Sequence, residues 1–439
     1  MRRLVGAQPL SALALGRLAV LAVLVRVLYI VHQIPGYVPN SDARNYYFLA
    51  KYFSEGKGFS DTFPLLTLHH TAFRPPAFPV LLGTVFSITG PSVGVAQGVN
   101  VVIGTLVVVL GAALAARLGG RWSGVATGLV LVAYPPLLAN DATVLTEPLS
   151  LLFLAVLGLA LSADVRARGE ERRGWRDPTV VVAGLATGLL TLSRPSAQGL
   201  AVVVAVWVWW RLGWRRAAVL AGTTLLVVAP WLIRNQVQMG SPVLVTTNGF
   251  NMASRYSAPA KADDGFIDAI SDPRMTNVHY LIFDEVQLDN AFRNDAIKEL
   301  KRDPGYVLHV VKDNASIWFE LDPSRSRAAE RVDGRNLDLR DNARPLFFLI
   351  TVVGLAGLVL QARRAGAQLL LLIAGYFTIT SLPLVAWPRL RAPFDLACCI
   401  GFGLAVGWVI DKRSRRRRPP ASTAAEIPVE DGREPVPVP

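Results

Sequence analysis

The sequence is short of charge, of cysteine and of lysine, and each shortage narrows what the protein can be. Only 18% of its 439 residues are charged, against about a quarter in an average soluble domain. With 52% hydrophobic residues and a mean hydropathy of +0.38, the chain reads as a bilayer protein. Its two cysteines, Cys398 and Cys399, are adjacent inside an apolar run. That excludes a disulfide framework and any Cys/His metal spacing, so both read as packing residues. Lysine supplies 7 of the 45 basic residues and arginine 38. The arginines gather at the ends of apolar runs, which suits topology signals and excludes a nucleic-acid face. The arginine bias, with abundant Ala and Val, hints at a GC-rich bacterial genome. There is no Walker loop, no GxGxxG followed by an acid and no Ser-His-Asp arrangement. Nor is there a visible tandem or inverted repeat of the kind that builds duplicated transporters.

What the sequence does have is a succession of apolar runs. A membrane-crossing helix needs about 20 such residues, with a range of about 17–25. Ten runs are read as spans: 10–31, 93–116, 123–139, 145–163, 179–193, 197–213, 216–233, 345–361, 367–384 and 393–411. An eleventh, 77–89, is too short to cross and is expected at the interface. The positive-inside rule supports ten. With the N-terminus inside, the inner segments Arg117–Arg121, Asp164–Asp177, Arg211–Arg216, Arg363-Arg364 and Lys412–Arg418 each hold at least two arginines. The outer segments 140–144, 194–196 and 385–392 hold none, Arg194, and the pair Arg389 and Arg391. Both ends are therefore expected in the cytoplasm, with Met1-Arg2-Arg3 heading an uncleaved first span.

The chain then divides into four parts. An N-terminal transmembrane module covers 1–233, with its first outer loop at 32–92. An outer insert follows at 234–344, then C-terminal membrane helices at 345–411, then a disordered basic and Pro-rich tail at 412–439. From 235 to 343 there are 13 Lys or Arg and 17 Asp or Glu, a mixed and mildly acidic module. Within it, 284–302 predicts an exposed helix with acids early and bases late. A second helix, 305–319, puts Tyr306, Val310 and Ile317 on an apolar side suited to the membrane surface. Trp207, Trp209 and Trp210 read as an interfacial belt above Arg211.

Reactive side chains concentrate in the first outer loop. Asp42 stands some ten residues beyond the first span, with Tyr46 one turn later. A carboxylate there can serve as general base to an acceptor hydroxyl; it, or Ser41, can equally be a helix N-cap. Glu147, in Leu145-Thr146-Glu147-Pro148, begins a span on the same face, with Asp141 just before it. It complements a helix dipole or faces a functional cavity. Arg74, Arg194, Arg234, Arg389 and Arg391 lie at outer ends of apolar runs, against the topological bias, and Arg26 lies inside the first span. Arginine grips phosphate through a forked set of donors, so several converging on Asp42 would cradle a lipid phosphate; singly, each would snorkel to the interface. The His69-His70 pair lacks a third metal ligand and reads as surface polarity.

Taken in order, these segments resemble a known family. The acid soon after the first span, Tyr46-Tyr47, Gly56-Lys57-Gly58-Phe59 and Arg74-Pro75-Pro76-Ala77-Phe78-Pro79 are similar to the first outer loop of GT-C fold glycosyltransferases. Leu145-Thr146-Glu147-Pro148, Ser193-Arg194-Pro195, Pro230-Trp231-Leu232-Ile233-Arg234-Asn235, Thr246-Thr247-Asn248-Gly249 and Arg389-Leu390-Arg391-Ala392-Pro393 continue the likeness. Together they cover about residues 20 to 410. The closest group is the bacterial one related to protein O-mannosyltransferases and to the aminoarabinose transferase that modifies lipid A.

The resemblance implies an all-α polytopic membrane protein, a GT-C-like bundle of about ten helices with interfacial helices in the first outer loop and a mixed outer insert. It implies transfer of a sugar from a polyprenyl-phosphate donor to a cell-envelope glycan, lipid or protein on the outer face of the inner (plasma) membrane. Asp42 matches the catalytic acidic position, and Arg74 stands where the lipid A enzyme has a lysine. Protein O-mannosyltransferases have adjacent Asp-Glu in that loop and an outer β-trefoil domain; here Asp42 is followed by Ala43 and no trefoil is legible. By this likeness Asp42 deprotonates the acceptor, while Arg74, with Arg194 and Arg389 or Arg391, stabilises the departing lipid phosphate. Glu147, Asp141, Tyr46, Arg234 and Arg26 support the site, and a divalent metal stays open. The alternative is a polytopic transporter or lipid-linked-sugar flippase, favoured by the ten spans and by Arg26 at bilayer depth. Against it stand clean span interiors and reactive groups gathered on one face. A binding-only surface protein would not need so many spans.

Overall fold

All ten apolar runs are helical in the computed structural model, which describes residues 9–65, 67–162, 177–275 and 284–416. The first span is α1 (Ala12–Gln33). The outer loop after it holds α2 (Ser41–Ser54), a two-stranded ribbon of β1 (Ser60–Asp61) and β2 (His69–His70), and α3 (Ala77–Thr89). Then come α4 (Val93–Gly119), α5 (Arg121–Ala133), α6 (Pro135–Ala142), α7 (Glu147–Leu161), α8 (Pro178–Thr191), α9 (Gln198–Leu212) and α10 (Trp214–Met239). The insert contributes α11 (Asn248–Tyr256), α12 (Ala258–Ala262), α13 (Glu285–Arg302), α14 (Tyr306–Trp318) and α15 (Pro323–Val332). The chain returns through α16 (Leu337–Leu360), α17 (Ala365–Ser381) and α18 (Ala392–Arg416).

The helices differ in reach. Among the described residues, five segments are long and apolar enough to cross a membrane: α1, α4, α10, α16 and Pro388–Ser414. A sixth is possible if α5 and α6, bent by 56° at their junction, form one broken span. Pro135 opens α6 and cannot continue the hydrogen bonding of α5. The ten expected spans are thus of unequal reach. With 15, 14 and 17 residues, α7, α8 and α17 rise about 21–26 Å, less than a hydrocarbon core of about 30 Å. The loop 164–176, expected on the inner side, the residues before 9 and the basic tail from 417 lie outside the described residues.

Helix α4 lies at the middle of the bundle, packed by α1, α5, α7 and α18. Only Leu18, Ala22, Arg26 and Tyr29 of α1 are buried, one stripe at helical spacing. Arg26 neither snorkels nor reaches the outer loop: its Nε donates to Asp141 Oδ2 at 2.7 Å, in the interior. Gly104 on α4 makes room for that pair, since a Cβ there would sit 2.3 Å from Asp141 Oδ2. The seam between α16 and α18 is tighter still. A Cβ on Gly357 would come within 2.0 Å of the Gly401 carbonyl, so the backbones meet only because neither residue has a side chain. Cys398 and Cys399 fill this seam as buried packing residues. Of the expected belt, Trp209 and Trp210 are exposed while Trp207 is buried.

On the other side of the bundle α2 and α3 lie together, with Tyr46 edge-on to Phe78 at 5.7 Å and Tyr47 to Phe86 at 5.5 Å. The insert has its own small core, where α11 packs on α13 through Ala253, Leu288 and Phe292. Helix α13 was expected to be exposed; instead it buries Glu285, Leu288, Asp289, Phe292 and Ala296. These follow a helical stripe that mixes two acids with three apolar residues, so the apolar pattern alone understated it. Helix α14 buries Val310, Asn314 and Trp318. Its inward face is therefore rotated from the expected Tyr306, Val310 and Ile317.

Candidate active site

The first outer loop is set by its caps and anchors. Asn40 is the N-cap of α2, its Oδ1 accepting from Ser41 N at 2.8 Å. Neither Ser41 nor Asp42 caps the helix, which leaves the Asp42 carboxylate free for other partners. Ser41 takes a left-handed conformation, φ 48°, uncommon without glycine and costing about 1–3 kcal/mol. Strain of this kind beside a reactive carboxylate is characteristic of functional sites.

Asp42 is gripped by two arginines from distant parts of the chain. Its Oδ1 accepts from Arg74 Nη2 and its Oδ2 from Arg389 Nη2. Arg74 Nη2 also donates to Asn45 Oδ1 at 3.0 Å, and its guanidinium lies 5.8 Å from the Tyr46 ring. Arg389 is buried, sits 5.4 Å from the Trp387 ring, and has Nε 3.3 Å from Asp333 Oδ2. Burial by itself would raise the Asp42 carboxyl; the two guanidiniums outweigh it and hold the group at about 2. Burial raises the Asp333 carboxyl above its ordinary value, against the pull of Arg389 and Arg335.

Glu147 and Arg194 border this cluster. Both are buried, and each lies within electrostatic reach of Arg389. Arg194 Nη2 donates to the Leu390 carbonyl at 2.5 Å and Nε to Ser196 Oγ at 2.9 Å, with Phe377 beneath it. Thr146 ties the start of α7 to the Ser193 carbonyl at 2.9 Å. Around Asp42, the buried atoms Arg74 Nε, Arg194 Nη1 and Glu147 Oε2 have no hydrogen-bond partner, while Arg389 Nε and Asp333 Oδ2 meet only as an ion pair at 3.3 Å. Unpartnered atoms are costly unless something satisfies them, and the two free arginine donors, on Arg74 and Arg194, suit an anion. A divalent cation fits poorly. Among the described residues no group of three or more His, Cys, Asp or Glu could hold one, and both oxygens of Asp42 face arginines.

The other expected residues lie elsewhere. Arg391 is only two positions from Arg389, but the 3-10 turn Pro388–Arg391 aims them apart. Arg391 Nη1 donates to the Trp318 carbonyl at 2.6 Å, Nε pairs with Asp395 at 3.1 Å, and the guanidinium lies 3.9 Å from the Phe347 ring. It belongs to a separate buried network with Glu320, so its expected place beside Asp42 is corrected. Asp141 is held by Arg26 in the bundle. Arg234 fastens the loop from behind, donating to the Thr71 and Phe59 carbonyls at 2.8 Å each, between the Phe59 and Trp231 rings.

Two acids escaped the sequence reading. Asp333 ends α15 and reads as an ordinary turn before Gly334. Glu285 opens α13 and reads as a dipole complement, yet it is buried and pins the first loop. It accepts from Thr71 Oγ1 at 2.6 Å, Ala72 N at 2.9 Å, His69 Nε2 at 2.9 Å and Thr246 Oγ1. His69 is thus half-buried, with Glu285 as its partner, where surface polarity was expected. Glu285→Ala leaves several buried donors unsatisfied, each costing about 1–3 kcal/mol. The expected result is faster proteolysis within residues 59–74 in otherwise folded protein, read by limited digestion in detergent.

No protein-family model matches the sequence, and neither does any curated protein. Solved structures do match. Archaeal oligosaccharyltransferase AglB from Archaeoglobus fulgidus, in complex with Zn and sulfate, superposes with a TM-score of 0.53 at 17% identity over 92% of this chain. The same enzyme in complex with an inhibitory peptide and a dolichol-phosphate gives 0.52 at 15% identity, again over 92%. The fold is GT-C. The chain spans about half the length of these enzymes, 50% and 51%, and the likeness is one of fold. ArnT from Cupriavidus metallidurans bound to undecaprenyl phosphate is similar at 0.42 and 14% identity, over 89% of this chain and 77% of that one. Within the GT-C bundle described above, the cluster of Asp42, Arg74 and Arg389 joins the first outer loop to the turn before the last helix.

Proposed function

We propose that the protein moves a sugar from a polyprenyl-phosphate donor to a cell-envelope acceptor on the outer face of the cytoplasmic membrane, with both termini inside. The observation that carries this reading is the grip of Arg74 and Arg389 on Asp42, with unpartnered donors of Arg74 and Arg194 close by. The similar AglB has been seen in complex with a dolichol-phosphate, and the sulfate in another AglB complex is an anion of similar shape.

The mechanism is a single displacement. The acceptor oxygen attacks the anomeric carbon and the carbon–oxygen bond to phosphate breaks. Its electron pair leaves on the polyprenyl phosphate, and the acceptor proton passes to Asp42. Held at about 2, Asp42 is a weak base in the free protein. The incoming phosphate competes for Arg74 and Arg389, loosens their hold, and lets the carboxylate regain basicity as the donor binds. Arg194 adds charge at the leaving group, and Glu147 orients the ring. Residues 1–233 carry the loop, Arg74, Arg194 and most of the bundle, 234–344 form the insert over the site, and 345–411 return Arg389.

The test is a proteoliposome assay with radiolabelled polyprenyl-phosphate sugar. The expected result is release of free polyprenyl phosphate with the sugar on an acceptor; intact donor carried across the bilayer would replace this reading with a flippase. The pH dependence has a definite sign. An acid limb in kcat/KM reports the free protein and one in kcat the loaded one, so the kcat limb is expected at higher pH than the kcat/KM limb.

A further inference from the structure

A cavity lies between the insert and the segment 384–387 that precedes Arg389. Its volume is about 440 Å³, within the range of about 300–1,000 Å³ usual for small-molecule sites. Its walls include Arg255, Arg325, Asp264, Asp313, Phe266 and Trp387. Trp387 lines the pocket, and its ring lies 5.4 Å from the Arg389 guanidinium. Val332 also lines it, and the next residue, Asp333, faces Arg389. The pocket therefore shares a wall with the candidate active site.

Its charges cancel. Arg255 Nη2 donates to Asp313 Oδ2 at 2.6 Å; Arg325 pairs with Asp313 and, at 3.4 Å, with Asp264. An anion entering here would meet three carboxylates, Asp263, Asp264 and Asp313, against two guanidiniums, with Asp263 already paired to Arg274, and so no net attraction. The groups suit hydroxyls instead, because alternating carboxylate and guanidinium edges offer acceptors and donors side by side. Arg255 is 2% exposed, and its Nε is buried without a partner. Phe266 and Trp387 meet edge to face at 5.5 Å and present half-buried aromatic surface, against which the C–H faces of a sugar ring can pack.

We infer that this cavity holds the uncharged, hydroxyl-rich sugar residues of the glycosyl acceptor, with Trp387 and Arg325 as its principal contacts. The inference rests on the transferase reading for the word acceptor; the sugar site itself is read from the cavity.

The experiment uses the full chain in lipid nanodiscs and follows tryptophan fluorescence as cellobiose, mannobiose and galactobiose are added. Glucose 6-phosphate and an acidic peptide are the competing probes. Saturable binding of at least one neutral disaccharide is expected, weakened at least about tenfold by Trp387→Ala read by calorimetry. Ala328→Trp, which places a bulky ring at an exposed position on the cavity wall, is expected to do the same without the folding risk of losing Trp387. Binding of no disaccharide, preference for the charged probes, or disaccharide binding unmoved by Ala328→Trp overturns the proposal. Donor cleavage by the wild-type protein is scored in parallel. A chain that cleaves donor but binds no sugar refutes the pocket alone, and one that binds sugar but never cleaves donor refutes the transferase reading alone.

Discussion

Asp42→Asn is expected to lower transfer at least about 1000-fold while leaving the protein inserted and folded. General-base assistance is typically worth about 100- to 10,000-fold, and an amide cannot accept the acceptor proton. Asparagine keeps the shape of the side chain and one acceptor oxygen. Arg389 also retains Asp333 at 3.3 Å and Arg74 retains Asn45 at 3.0 Å, so neither arginine is stranded. Gel filtration in detergent should be unchanged, and the loss should appear in kcat. Undiminished transfer in vesicles carrying this variant would falsify the assignment of Asp42 as base.

The second large effect is expected at Arg389. Removing one pre-organised charge partner of a developing anion typically costs about 100- to 1000-fold in rate. Arg389→Lys keeps the charge but offers one compact ammonium where the guanidinium faces Asp42 and Asp333 at once. A loss of about 100-fold is therefore expected for lysine and somewhat more for alanine. Arg389→Ala also leaves buried Asp333 without its nearest cation, at about 3–5 kcal/mol. The lysine variant is thus the cleaner test of catalysis. Donor KM should rise together with the fall in kcat, because the same arginine meets the phosphate in both states. A lysine variant with wild-type kcat would remove Arg389 from the mechanism.

The bundle was legible because apolar runs of the right length report themselves, and all ten became helices. The site was legible in part. Arginines at outer span ends defied the topological bias, and Arg74 and Arg389 do close on Asp42. The same signal misplaced Arg391, since a two-residue step on a 3-10 turn reverses the side chain while the sequence shows only proximity. Arg26 and Arg234 share the chemistry of the site arginines, but one is spent on Asp141 in the bilayer interior and the other on loop carbonyls. Glu285 and Asp333 stayed hidden for the opposite reason. Each sits at a helix end, where an acid is unremarked, and its burial comes from partners far away; Glu285 and Thr71 are 214 positions apart.

The contact between Asp42 and Arg389 spans 347 positions. At about 5–20 residues per second, a ribosome that has made the first needs roughly 20–70 s to reach the second. On the mechanism proposed here, a nascent polypeptide halted in that interval owns a base but lacks half of its phosphate clamp. Any lipid-linked sugar that drifts against it is neither gripped nor split. Biogenesis itself then acts as a safety catch, and the enzyme is armed only when its last membrane helix has been delivered.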